Sequence, residues 1–254
     1  MKIAIISDIH ANLEAFEAVL KDIRSKGISE IVCLGDVIGY GPNPRECLKT
    51  VIDTCKLCLR GNHEEAVLYF SYDFQVDAAQ AVDWTREELN SNRYDAVENS
   101  IFWDYLGELV RLEERDDILY LHGAPREPTR EYLRPIDIAD EEKMRDNFGL
   151  IRQYCFCGHT HEPGVLVMNP NGKVRFLTPA DLTNNYVLDV HKCIVNVGSV
   201  GQPRDGDNRA CYVVLEDRRI SFQRLPYDYK TTMRKILETK LLPKVFAARL
   251  QVGR

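Results

Sequence analysis

A chain of 254 residues, 44% of them apolar, fits one large α/β domain or two small ones, and it reads as one. Its net charge of −6 gives no general attraction to a polyanion, so broad nucleic-acid or acidic-membrane binding is disfavoured, whereas a small anion drawn in by local fields is not. No run of about 20 apolar residues occurs, so no membrane-spanning helix is expected, and the opening MKIAIISDIH meets Asp8 and His10 too early for an export core, which points to the cytoplasm.

Residues 3–6 form a first apolar run, expected as a strand; beyond a polar loop, Leu13, Phe16, Leu20 and Ile23 recur at helical spacing up to Gly27. Residues 31–34 and 57–59 are further short apolar runs, and 44–53 between them reads as a helix opened by proline. This β-α-β spacing predicts a sheet of parallel strands joined by right-handed crossovers. From 76 to about 113 the pattern turns helical and charged, with Trp84, Leu89, Trp103 and Leu106 among its apolar positions, and two or three inserted helices are expected. Strand signals return at 118–121 and 154–156, then at 165–168, 174–177, 187–190, 194–197, 211–215 and 220–225. A helical tail over about 231–250, broken at Pro243, closes a single domain of residues 1–254.

Eight cysteines raise the question of disulfides or zinc. Several fall at apolar strand positions, in IVCLG, YCFCG and ACYVVL, where a reduced thiol packs as a small hydrophobe. Cys55-x-x-Cys58 has a redox- or zinc-like spacing but no matching second pair, and is read as packing.

The polar residues that end the strands form a series. The first run leads into Asp8 and His10, the second into Asp36, the third into Asn62 and His63, the run 118–121 into His122, and the run 154–156 into His159 and His161. Singly, each has an ordinary use as a helix cap, a turn residue or a satisfied core histidine. Together they place five of the six histidines at strand ends, and the carboxyl ends of parallel strands gather on one edge, where ligands bind. His191, the sixth, lies in the later strand region and is read as structural.

Imidazoles mixed with carboxylates suit Mn²⁺, Fe or Zn²⁺ better than the all-oxygen shells of Ca²⁺ or Mg²⁺, with Ni, Co and Mg as further candidates. Seven ligands exceed what one small ion takes, and a carboxylate can bridge two ions that clamp the oxygens of a displacement at phosphorus. Two divalent ions carry four positive charges, of which Asp8 and Asp36 cancel two, so the site should attract phosphate despite the acidic whole. Such ions also bring the pKa of bound water toward roughly 7, making hydroxide available to attack.

At these residues the sequence resembles the calcineurin-like metallophosphoesterase superfamily. Its pattern D-x-H, G-D, G-N-H-[DE], H and G-H-x-H stands here as Asp8-Ile-His10, Gly35-Asp36, Gly61-Asn62-His63-Glu64, His122 and Gly158-His159-Thr-His161, in order. The resemblance implies a four-layer αββα sandwich with two divalent metal ions. Asp8, His10 and His161 would hold one ion, Asn62, His122 and His159 the other, and Asp36 would bridge both. His63 would be the catalytic histidine, protonating the leaving group or stabilising the transition state. Glu64 reads as a loop anchor. The segments GDVIGYGPNP, HGAP and NVGSVGQPRDGD are similar to the small bacterial and archaeal phosphodiesterase-type branch.

Arg204, in GQPRDGD, and Arg126, in HGAPREP, are candidate phosphate-binding guanidiniums. The expected activity is hydrolysis of a small phosphodiester or phosphomonoester. A phosphoprotein phosphatase is a weaker fit, since Val37-Ile38-Gly39-Tyr40 replaces the Val-Asp-Arg-Gly of that branch. A dinucleoside polyphosphate hydrolase is a further alternative, and a non-catalytic scaffold of the same fold would lack part of the ligand set. The helical region about 76–113 could serve as a lid or as the surface of a homo-oligomer.

Overall fold

β1 (Lys2–Ile6) buries Ile3 and Ile5 on one face and Ala4 and Ile6 on the other, so this strand has to be covered on both sides. The structure, a computed structural model, describes residues 2–72 and 74–254. β1 is followed by α1 (Leu13–Ser25), β2 (Glu30–Cys33), α2 (Pro44–Thr54), β3 (Leu57–Cys58), α3 (Asn62–Leu68), α4 (Val76–Leu89) and α5 (Ala96–Glu108). Then come β4 (Leu112–Arg115), β5 (Ile118–Leu121), a short 3-10 turn (Pro135–Ala139), α6 (Glu141–Gly149), β6 (Tyr154–Cys157), β7 (Gly164–Met168) and β8 (Val174–Leu177). The last elements are β9 (Asn185–Val187), β10 (Cys193–Asn196), β11 (Ala210–Glu216), β12 (Arg219–Leu225), α7 (Tyr229–Thr239) and α8 (Lys244–Val252).

The described strands form two six-stranded sheets, ordered β3-β2-β1-β11-β12-β9 and β4-β5-β6-β10-β7-β8. Within the first, β1, β2 and β3 run parallel; within the second, β5, β6 and β10 do. All other pairings between the described strands are antiparallel, so the parallel strands expected from the β-α-β spacing lie within two mixed sheets. Ile3 and Ile5 meet Tyr120, Phe156 and Val195 of the opposite sheet between the two layers. Ala4 and Ile6 face Phe16, Val19 and Ile23 of α1 with Leu48 and Val51 of α2. On the far side, Cys155, Leu166 and Ile194 are covered by Met144 and Phe148 of α6. The order helix, sheet, sheet, helix is the four-layer αββα sandwich implied by the resemblance. Each large apolar side chain fully buried in these layers contributes roughly 1.5–3 kcal/mol.

Local chemistry explains the elements that frame the site. Asn12 caps α1 by accepting the Ala15 N–H at 3.2 Å, and its amide donates to the Gly201 carbonyl at 2.8 Å, tying the first loop to the one after β10. Pro44 starts α2, where its missing N–H costs nothing. Four expectations need correction. The helical region ends at Glu108, and Leu112–Arg115 pairs antiparallel with β5, a pairing with a later segment that helical periodicity does not register. The strand expected at 187–190 is Asn185–Val187, set by its pairing with β12. α3 starts at Asn62 inside what reads as a turn. α6 is too short and polar for a periodic signal; Met144, Asn147 and Phe148 alone are buried. All eight cysteines are free, seven of them buried. Among the described residues no helix is long and apolar enough to cross a membrane.

Candidate active site

The loops after β1 and β2 are laced together by backbone: Asp8 N–H donates to Gly35 O at 3.0 Å, His10 N–H to Asp36 O at 2.9 Å and Ala11 N–H to Val37 O at 2.8 Å. The loop after β6 joins them through the His159 N–H, which donates to Asp8 Oδ2 at 3.0 Å. Holding these turns puts Asp8, His10, Asp36, His159 and His161 in the left-handed region, with φ of 56°, 48°, 53°, 64° and 60°. Each such residue costs on the order of 1–2 kcal/mol. Five strained residues at one place mark a site maintained for something other than stability. The glycines beside them are required by contact: a Cβ on Gly61 would stand 2.1 Å from Asp36 Oδ1, and one on Gly158 would stand 2.4 Å from Asp8 Oδ2.

Four histidines share one arrangement. His10 Nδ1 bonds to Ile38 O at 3.2 Å, His122 Nδ1 to Leu34 O at 3.2 Å, His159 Nε2 to Arg130 O at 3.0 Å and His161 Nδ1 to Gln202 O at 2.5 Å. A carbonyl only accepts, so each ring keeps its proton on that nitrogen and presents the lone pair of the other inward. Those inward nitrogens meet in pairs: His10 Nε2 is 3.1 Å from His161 Nε2, and His122 Nε2 is 3.2 Å from His159 Nδ1. Asp8 Oδ1 joins the first pair, 3.1 Å from His161 Nε2, and Asn62 Oδ1 joins the second, 3.1 Å from His122 Nε2. Asp36 Oδ2 stands between, 3.3 Å from His122 Nε2 and 3.6 Å from His10 Nε2. The structure thus brings together all seven residues that the sequence singled out as ligands, every one of them buried.

Facing lone pairs repel unless a cation or proton lies between them. Two ligands about 2.1 Å from an ion and at right angles to one another are themselves about 3.0 Å apart, which matches both nitrogen pairs. Asp8 Oδ1 is also buried without a hydrogen-bond partner. Asp8, His10 and His161 form one group able to hold a metal ion, Asp36, His122 and His159 another, and His10, Asp36 and His63 a third. The donor set therefore fits divalent metal.

Charges follow the same geometry. Burial would raise the Asp36 carboxyl, but His122 and His63 beside it hold it well below the usual carboxylate range. Asp8 is likewise held down, against burial, by His161 and His10. Burial disfavours a charge on His122, yet Asp36 lifts it to about 9, so without a metal ion its Nε2 holds a proton facing Asp36 Oδ2, which a bound cation would replace to free the inward lone pair. His159 falls to about 3 through burial and the neighbouring His122, and His161 to about 4 through burial and Arg204. Neutral His159 and His161 are available as ligands at physiological pH.

Glu64 supports the cluster without belonging to it. Its Oε1 accepts the N–H groups of Val37 and Ile38 at 2.8 and 3.2 Å, and its Oε2 those of Asp36 and Gly61, both at 2.8 Å. Burial and the Asp36 charge push its carboxyl up to about 7, so the four donors offset a large desolvation cost. In Glu64→Gln one oxygen becomes an amide donor and two buried N–H groups lose their acceptor. The expected loss is about 3 kcal/mol, a Tm lower by roughly 6–12 °C in a thermal melt.

A cavity of about 290 Å³ opens beside the second pair, lined by Tyr40, Asn62, Arg130, Tyr132, Arg134 and His159, with Phe74, Gln75 and Ala78 from around the start of α4. Arg204 belongs to this neighbourhood: its guanidinium lies 5.9 Å from the Tyr40 ring centre and donates to Gln202 Oε1 at 3.0 Å. Arg126 does not. Its guanidinium is not part of the lining and pairs with Glu131 and with Asp146 of α6 at 3.4 Å. Tyr40, Arg130, Tyr132 and Arg134 were invisible to the motif reading. The alternation of cations and aromatics in 130–134, shortly after His122, is the sequence signal that could have found three of them.

The calcineurin-like phosphoesterase superfamily domain matches residues 1–218 of the chain. An uncharacterized protein of Methanocaldococcus jannaschii, MJ0912, is 37% identical over 263 aligned residues, covering 99% of this chain and 98% of its own. A solved metallophosphoesterase from Sphaerobacter thermophilus is similar at a TM-score of 0.83, with 34% identity and 100% of both chains covered. The hypothetical protein PH1004 from Pyrococcus horikoshii OT3 shares the fold at a TM-score of 0.75, with 18% identity over 100% of this chain and 98% of that one. These likenesses and the site define a metal-dependent phosphoester hydrolase. The chain belongs to the calcineurin-like phosphoesterase superfamily.

Proposed function

We propose that the protein hydrolyses small phosphodiesters or phosphomonoesters with two divalent ions, Mn, Fe or Zn first among them. Asp8, His10 and His161 would hold one ion, Asn62, His122 and His159 the other, and Asp36 would be shared. The observation that carries this reading is the two inward nitrogen pairs, at 3.1 and 3.2 Å, with the Asp36 carboxylate between them. When bound, such ions acidify a water toward neutrality and screen the charge of the phosphate.

The chain's own groups do the rest. Asn62, on the cavity wall, directs its carbonyl oxygen at the second position. Arg204 reaches the phosphate oxygens from the opposite loop, a guanidinium matching two of them at once. His63, 1% exposed and with Nδ1 unpartnered, assists the departing oxygen. The tyrosine and phenylalanine rings around the cavity limit water. The complete ligand set suits an enzyme acting on a small molecule, not a scaffold.

The test is hydrolysis of bis(4-nitrophenyl) phosphate together with metal analysis. A chelator is expected to lower turnover by at least about 100-fold, and added Mn²⁺ to restore it with about two ions per chain. Turnover indifferent to the chelator, or one ion at full activity, would reject the two-metal reading.

A further inference from the structure

The cavity carries more positive charge than one phosphate needs. Arg130, Arg134 and Arg204 all converge on it or its mouth, and they are held differently. Arg130 is bound by Glu65 of α3, its Nε donating to Oε2 at 2.8 Å, and Arg111 takes the other Glu65 oxygen. Arg204 lies 5.9 Å from the Tyr40 ring centre and is held by Gln202 Oε1 at 3.0 Å. Arg134 is stacked: its guanidinium lies 4.5 Å from the Tyr132 ring centre, and Tyr132 in turn stacks on His159 at 3.8 Å with 23° between the planes. Neither Arg134 nor Arg204 forms an ion pair with a carboxylate among the described residues. Glu162 feels both charges but pairs with neither.

A long, exposed arginine is usually mobile and solvated. Here Tyr132 contacts a candidate metal ligand and Arg134 at once, so the guanidinium is pre-ordered in a fixed relation to the reacting centre. Held on Tyr132 and not on the ligand cluster itself, it is offset from the scissile position by a ring, a gap that suits a phosphate set off by a spacer the size of a sugar better than the neighbouring phosphate of an anhydride, where one oxygen separates the phosphorus atoms.

We infer that Arg134, with Arg130 beside it, forms a second anion subsite, and that the substrate is a phosphoester carrying a further phosphate group separated from the scissile one by such a spacer. This inference rests on the phosphoesterase reading for the scissile group but not for the second one. The rings of Tyr40 and Tyr132 are already covered by protein groups, so recognition is by charge and spacing instead of base stacking.

The test compares thymidine 5′-(4-nitrophenyl phosphate) with the same diester bearing a 3′-phosphate, on the metal-loaded enzyme. The wild type is expected to favour the phosphorylated diester by about tenfold or more in kcat/KM, carried by KM, and Arg134→Gln to bring that ratio to about one, with Arg134→Lys between. A ratio near one in the wild type, or unchanged in Arg134→Gln, overturns the inference. Equilibrium binding of thymidine 3′,5′-bisphosphate against thymidine 5′-phosphate gives the second readout: the same preference, lost in Arg134→Gln, supports the subsite, and equal or absent binding rejects it. Turnover of the plain diester with no preference rejects the subsite alone; preferential binding with no turnover of any ester rejects the phosphoesterase reading and leaves the subsite standing.

Discussion

Asp36→Asn is expected to lower kcat/KM by about 10³-fold or more while the circular dichroism spectrum stays unchanged. Asp36 serves two purposes with two oxygens. Its Oδ1 accepts the His63 backbone N–H at 2.9 Å, holding the first turn of α3 against the loop after β2. Asparagine can keep that bond with its remaining oxygen, so the fold survives. The amide nitrogen then replaces Oδ2, pointing hydrogens at His122 Nε2 and His10 Nε2, where the native site offers an acceptor and a negative charge. Of the two carboxylates facing the cluster, one is lost. Elemental analysis should therefore find fewer than two ions per chain. Two ions retained together with native turnover would remove Asp36 from its shared position.

His63→Ala is the second large effect, and it separates two uses of one side chain. The ring touches His10, Tyr40 and Phe74 at 4.8, 4.4 and 5.0 Å between centres, and Gly39 leaves it room, since a Cβ there would lie 2.1 Å from Nδ1. Burial pushes its imidazolium well down, so at neutral pH the free ring is neutral and carries one N–H to donate. If it assists the leaving oxygen, the variant keeps both ions and loses roughly 10²–10⁴ in rate. The loss should be larger for a methyl ester than for a 4-nitrophenyl ester, whose leaving group needs little help. A fall to one ion per chain would instead make His63 a ligand, as its grouping with His10 and Asp36 permits. An equal loss with both esters would reject the role in leaving-group departure.

The parts of the site most legible in the sequence were those on strand ends. Asp8, Asp36, Asn62, His122 and His159 each follow a short apolar run, and a run that ends in such a residue is a local pattern needing no knowledge of the rest of the chain. The glycines were legible for a related reason. Gly61 and Gly158 adjoin side chains that leave no volume for a Cβ, so the pairing of glycine with the functional residue appears as a short motif. Arg130, Tyr132 and Arg134 were not legible in this way. They sit between β5 and α6 on a loop without periodicity, placed by an ion pair to Glu65, 65 positions earlier, and by the contact of the Arg130 carbonyl with His159. Arg126, on the same loop, pairs instead with Glu131 and Asp146.

What the sequence determined by itself is the set of donor atoms and their order, because hydrophobic spacing and glycine are read over a few residues. What only the tertiary structure decided is that these donors meet. The two parallel edges belong to different sheets, joined face to face through Ile3, Ile5, Phe156 and Val195, and each sheet is completed by pairings between distant segments such as β1 with β11 and β6 with β10. Such pairings are chosen by burial summed over a whole face, and local spacing carries no record of which strands will share it.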